Sequence, residues 1–242
     1  MLTKNQVEIK NDPFRGGIQI TSHALTNDVS DVGYLSISRK MTGTFDWSSL
    51  HTMKISSAND FNFSCFDITA KSGYEYEYVI DIIGSDGASI LEFWVSDAVK
   101  CSFRGLFVGD DNKQYMAGVN FKTETKMNTQ VEYVTTLSGK YPYRIQNAET
   151  NYVTGVSSGL FLKLSDDKKR FVPDYNHSYS DEVLRFLCDG NSKIIKTHDG
   201  QGWYVSIDAN ASKVYSDFEG MNSISFNWTQ ISDLPPLGVV FD

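Results

Sequence analysis

Catalysis or metal binding needs imidazoles, thiols or carboxylates gathered in a workable pattern, and the four histidines, His23, His51, His177 and His198, fall in four separate segments. None belongs to an H-E-x-x-H or H-x-H pattern, so no zinc ligand pair is spelled out. His198 lies in the turn THDGQG, where its polarity suits the turn. His177 follows Asp174 and Tyr175 in a polar stretch; solvation explains it, with pH sensing as the sharper alternative. Adjacent carboxylates occur at Asp110-Asp111 and Asp166-Asp167. A glycosidase opposes two carboxyls across roughly 5–10 Å, which sequence neighbours seldom supply, so both pairs are read as hairpin turns. GDDNKQ lacks the sixth-position glycine and closing glutamate of an EF-hand loop, which leaves only a surface calcium turn as an alternative. Cys65, Cys101 and Cys188 are widely spaced without a C-x-x-C, and only Lys100 beside Cys101 offers a thiol a basic neighbour. They read as reduced, mostly buried thiols. There is no P-loop or G-x-G-x-x-G. The expectation is a protein that is not an enzyme, with no catalytic, cofactor-binding or metal residues and no cofactor.

Aromatic residues supply the remaining chemistry. KYPYR places Tyr141 and Tyr143 on either side of a proline, and exposed tyrosine rings can stack on sugars. The same alternation marks the start of a strand. Glycan binding is therefore the alternative reading of that segment.

These residues have to be positioned by a chain of 242 residues with 40% hydrophobic, 21% charged and 13% aromatic residues, the composition of a globular protein rather than a disordered one. A net charge of −8 with no basic run argues against nucleic acid and against anionic membrane surfaces. No stretch approaches the roughly 18 apolar residues of a spanning helix, and the N-terminal residues show no apolar signal region. Synthesis and folding in a cytoplasm are expected.

Short β-type runs fill the first hundred residues: GIQI from Gly17, YLSISRK from Tyr34, FNFSCFDI from Phe61, YEYEYVIDII from Tyr74 and SILEFWVS from Ser89. Turn residues divide them, including Asn27-Asp28, Thr42-Gly43, Ser72-Gly73 and Asp86-Gly87. Alternation puts Tyr74, Tyr76, Tyr78, Ile80 and Ile82 on one face, read as core, and Glu75, Glu77, Val79 and Asp81 on the other. This is the pattern of a sandwich.

In order and content these runs resemble fibronectin type III modules of bacterial and phage proteins: YLSISRK, then the tryptophan segment FDWSSL, then NFSCFDI, then a strand after a glycine. The resemblance implies that residues 1–100 form a fibronectin type III-like sandwich. It makes Tyr76 the tyrosine-corner residue, with its hydroxyl bonded to nearby backbone, and makes Trp47 and Trp94 core or core-edge aromatics.

Beyond Cys101 the segments lengthen. SYSDEVLRFLCDG reads as a helix near 179–189, with Ser178 and Asp181 as a capping box, Val183, Leu184 and Leu187 as its apolar stripe and Gly190 as the C′ residue. Strands SKIIK, GWYVSI and ISFNW follow. FRGLFVGD, GKYPYRIQNAETNYVTGVSSGLF, EVLRFLCDGNSKIIK, HDGQGWYVSID and SISFNWTQISD, in that order, resemble minor structural, baseplate-type proteins of tailed phages of Gram-positive bacteria. The helix, hairpin and last strand are also similar to tail-tube and distal tail proteins.

Together these readings predict a mainly β chain: the sandwich of 1–100, a β-rich domain of 101–233 with one helix, and an arm of 234–242. LPPLGVVF is expected to dock on its own domain or on an adjacent subunit, since its apolar residues follow a proline pair that ends the preceding strand. By resemblance the protein is a structural subunit of a phage tail or baseplate, made in the host cytoplasm and resident in the virion. Its partners would be other virion proteins and further copies of itself, with a host cell-wall glycan as the alternative.

Overall fold

The structure is a computed structural model that describes residues 7–23, 30–137, 139–165, 170–215, 220–234 and 239–241. The turn at Asn27-Asp28, the pair Asp166-Asp167 and the prolines Pro235-Pro236 lie outside the described residues. In chain order the strands are β1 (Val7–Asp12), β2 (Gly17–Ser22), β3 (Val32–Met41), β4 (Ser48–Lys54), β5 (Phe63–Asp67), β6 (Glu75–Gly84), β7 (Ile90–Val95), β8 (Val99–Lys100) and β9 (Leu106–Gly109). They continue as β10 (Gln114–Val134), β11 (Tyr143–Phe161), β12 (Lys163–Leu164), β13 (Phe171–Val172), helix α1 (Ser178–Leu187), β14 (Lys193–Thr197), β15 (Gly202–Ile207), β16 (Ser212–Val214), β17 (Ser223–Ser232) and β18 (Val239–Phe241). The chain is mainly β, as its composition and runs predict.

It divides into two compact units. The first comprises Met1–Met116, Ile194–Trp203 and Leu234–Asp242; the second comprises Ala117–Lys193 and Tyr204–Asp233. The chain therefore returns to the first unit twice.

In the first unit, one antiparallel sheet has the order β1-β2-β5-β18 and another β4-β3-β6-β7, with β8 beside β6. Alternation does what its period requires. Tyr76, Tyr78, Ile80 and Ile82 of β6 are buried with Leu35 and Ile37 of β3, while Ile18, Ile20 and Cys65 fill the other side of the sandwich. The five expected runs are all strands. β1 and β4 were not expected; each is an edge strand with few fully buried residues, so its apolar signal is weak. β9 and β14 also pair antiparallel in this unit, Ile195 opposite Val108.

Two aromatic assignments need correction. Tyr74 precedes β6 and is 40% exposed, because Gly73 turns the chain with φ +89° before the pleat begins. Trp47 is 41% exposed, with the Lys40 ammonium 5.0 Å from its ring centroid, and so is no core residue. Trp94 is half-buried opposite Ile80.

The arm also differs from expectation. β18 pairs antiparallel with β5 of the first unit; Val240 lies opposite Phe66, so β18 supplies partners to the outer edge of β5. A sheet edge with unpaired backbone groups offers a terminal strand that site.

In the second unit, β17 is paired antiparallel with β11, β15 and β16, and β11 with β10. Gly155 makes room for the Trp228 ring: a β-carbon there would lie 2.3 Å from the indole. The indole N–H donates to Ser157 Oγ at 2.9 Å. Val183, Phe186 and Leu187 form the buried stripe of α1, so Phe186 takes the place expected for Leu184. The capping box is not formed. The Asp174 carboxylate instead accepts from the N–H groups of Tyr179 (3.1 Å) and Ser180 (2.8 Å), which leaves Asp181 to pair with Lys213. Gly190, at φ +80°, lies two residues beyond the C-cap Cys188.

Candidate functional site

The residues that could do chemistry stay apart. His23 and His198 are exposed, and burial lowers the pKa of half-buried His51. His177 stands at the start of α1 in a left-handed conformation, its Nδ1 2.8 Å from the Asn222 side-chain nitrogen and its ring edge-on to Tyr215. Among the described residues no three histidine, cysteine or acidic side chains gather as a metal site. Asp110 accepts from the N–H groups of Asn112 and Lys113, closing the turn between β9 and β10 as expected.

None of the three cysteines is in a disulfide; Cys65 and Cys101 are buried and Cys188 is exposed. Burial pushes the Cys101 thiol up to about 12, which Lys196 only partly offsets. A thiol in that state carries little nucleophilic thiolate.

The most concentrated polar chemistry lies inside the first unit. Asp67 is fully buried and accepts from Arg39 Nη1 at 2.6 Å, Tyr78 Oη at 2.9 Å, Thr69 Oγ1 at 2.8 Å and the N–H groups of Thr69 and Ala70. Burial alone would raise the Asp67 carboxyl; the Arg39 charge and the hydrogen bonds from Thr69 and Tyr78 outweigh it and hold the pKa below the usual range. Nearby, the buried Lys196 ammonium donates to the carbonyls of Gly16 and Ala70. Desolvation lowers its pKa to about 8. These groups are consumed by one another and by backbone, an arrangement that holds the sandwich closed.

Two concavities are lined by described residues. One of about 130 Å³ in the first unit has Arg15, Phe107 and Gln114 in its wall. A shallow groove of about 390 Å³ in the second unit is lined by Glu124, Lys126, Thr154, Asp208 and Asn227, with Glu124 already paired to Lys122. Neither brings a nucleophile and a base together.

What stands out is the ribbon made by β10 and β11, strands of 21 and 19 residues. Pairing with β17 stops at Thr154 on β11, yet β10 and β11 stay paired to each other as far as Val134 opposite Tyr143. The outer ribbon exposes Tyr133, Val134, Leu137, Tyr141, Tyr143 and Ile145. Tyr143 starts β11, as the alternation across Pro142 predicts, and Tyr141 is 72% exposed in the connecting turn. Sequence reading found Tyr141 and Tyr143 but missed the ribbon. No single face of it is apolar, so alternation gives no core signal there. The available clue was V-E-Y-V followed by the turn residues Ser138-Gly139.

No helix among the described residues is long and apolar enough to cross a membrane. No family model matches the chain, and no curated protein matches it. Among solved structures, it is similar to a chain in the virion of a native gene transfer agent (GTA) particle, with 16% identity and a TM-score of 0.32 over 57% of this chain and 95% of that one. It is likewise similar to a chain in the tail of an empty GTA particle computed with helical refinement and C6 symmetry, with 14% identity and a TM-score of 0.32 over 57% of this chain and 94% of that one. At these scores the likeness assigns no role.

Proposed function

We propose that the chain is a structural subunit of a phage or phage-like tail or baseplate, which works by fitting surfaces to neighbouring virion proteins and to further copies of itself. The observation that carries this reading is the β10–β11 ribbon. A two-stranded ribbon is marginal in water, and one with apolar side chains exposed on both faces is stabilised when a neighbour covers it. The order of the second-half segments, which resembles baseplate-type proteins, supports the same reading. The first sandwich is a fibronectin type III-like module; its sheet orders and the bond from Lys71 N–H to the Tyr76 hydroxyl support that assignment. No step of catalysis is required.

Immunogold labelling of particles made by the encoding organism tests the reading. Label on the tail or its tip is the expected result, and particles without label overturn it. The exposed Tyr141 and Tyr143 favour a second reading, a glycan platform, although the Lys140 ammonium already sits 5.5 Å from the Tyr141 ring centroid. Saturable binding on a glycan array, lost in Tyr141→Ala with Tyr143→Ala, would establish it.

A further inference from the structure

The first unit carries a second exposed apolar surface. β7 is an edge strand, and Phe93, Val95 and Ile90 are exposed on it. Their cross-strand partners on β6 are Asp81, Val79 and Ile83, which alternate with the buried Ile80 and Ile82 and so share the outer face. Asp81 sits in the middle of this face, directly opposite Phe93. Among the described residues its carboxylate has no hydrogen bond or ion pair, and burial raises its pKa above the ordinary value. A half-buried carboxylate with no partner on an apolar sheet face is a surface that a cation flanked by apolar groups would complete.

The ribbon presents that counterpart. Tyr133 and Arg144 are directly opposite each other and share one face of it, an aromatic beside a cation where β6–β7 offers an aromatic beside an anion. Overall charge agrees. Residues 72–99 contain Glu75, Glu77, Asp81, Asp86, Glu92 and Asp97 with no lysine or arginine, whereas residues 126–145 contain Lys126, Lys140 and Arg144 against Glu132 alone.

We propose that the β10–β11 ribbon of a second copy of this chain docks on the β6–β7 face, with Arg144 of the second copy meeting Asp81 and its Tyr133 packing on Phe93. The contact joins two different patches, so it is heterologous and propagates into a closed ring or an open filament. It rests on the assembly reading above and names the surface that receives the ribbon.

Sedimentation velocity of the full chain over a concentration series tests the pairing. The wild type associates, and added salt weakens the association. Arg144→Asp and Asp81→Arg, each shown by circular dichroism to keep the wild-type spectrum, each weaken it about tenfold or more, and the two combined in one chain recover it. Asp81→Asn, which keeps the side-chain shape, gives a smaller loss in the same direction and serves where the arginine variant does not fold. A wild type that stays monomeric at every concentration overturns the pairing. So does association that is indifferent to Asp81→Asn and Arg144→Asp, or a double variant that fails to recover. The tail assignment is judged separately by the particle labelling.

Discussion

The backbone N–H of Lys71 donates at 3.0 Å to the hydroxyl of Tyr76, five residues further along the chain, while the Tyr76 ring is buried at the start of β6. The Arg39 guanidinium carbon lies 4.8 Å from the centre of that ring, so one side chain ties a turn to the sandwich edge. Burial pushes the Tyr76 phenol up to about 12, so it stays protonated through neutral pH. Tyr76→Phe keeps the ring and removes the acceptor. The expected cost is about 1 kcal/mol, with faster hydrogen exchange at the Lys71 amide. Unchanged exchange at that amide, together with an unchanged unfolding midpoint, would show that the bond contributes nothing.

The Asp67 cluster predicts an acid-side loss of stability. The folded carboxyl sits below its unfolded value of about 3.9. Its contribution is therefore complete above about pH 4 and disappears as pH falls through the folded value. Asp67→Asn removes that dependence and leaves the guanidinium of Arg39, whose side chain is only 13% exposed, without its counter-charge. A loss of about 3–5 kcal/mol at neutral pH is expected, read from denaturant unfolding at a series of pH values.

Lys196 predicts a slope of the same sign on the alkaline side. Its folded pKa is lowered to about 8 by burial, whereas the unfolded chain holds that proton up to about pH 10.4. The unfolded state binds more protons between those values, so this group makes stability rise with pH there. Cys101, raised to about 12, acts in the other direction, because the unfolded thiol loses its proton near about pH 8.5. Comparison with Lys196→Met separates the two. Between pH 8 and 10 the wild type should gain about 2 kcal/mol relative to the variant, and a constant difference would mean the ammonium is not desolvated as the structure shows.

Residues whose surroundings are local were readable in advance. Period-two alternation placed Tyr76, Tyr78, Ile80 and Ile82 in the core because β6 follows the pleat along its whole length. It failed one residue earlier, at Tyr74, where the glycine turn still governs the backbone. Long-range partners were not readable. The cap of α1 comes from Asp174 across a loop, and a nearer serine with the right spacing looked like the better candidate. In SKIIK, charge alone would send Lys196 to solvent; its ammonium instead reaches carbonyls at Gly16 and Ala70, far back in the chain. The ribbon was invisible for another reason: its apolar residues face outward on both sides, and pattern reading assumes that apolar residues mark a core.

That last property makes the ribbon separable from the fold. Among its described side chains from Glu132 to Ile145, none is buried, and the pairs from Val131 to Val134 are made with β11 alone. Replacing residues 133–144 by Asn-Gly joins the opposed pair Glu132 and Ile145 through a two-residue turn of the kind that matches strand twist. Because surface changes away from packed or capped positions usually cost less than about 0.5 kcal/mol, the shortened chain should unfold at nearly the wild-type midpoint. It should also fail to associate in sedimentation and fail to enter particles, because Tyr133 and Arg144 leave with the loop. A shortened chain that still assembles would place the contact elsewhere, and one that unfolds would show that the ribbon belongs to the core.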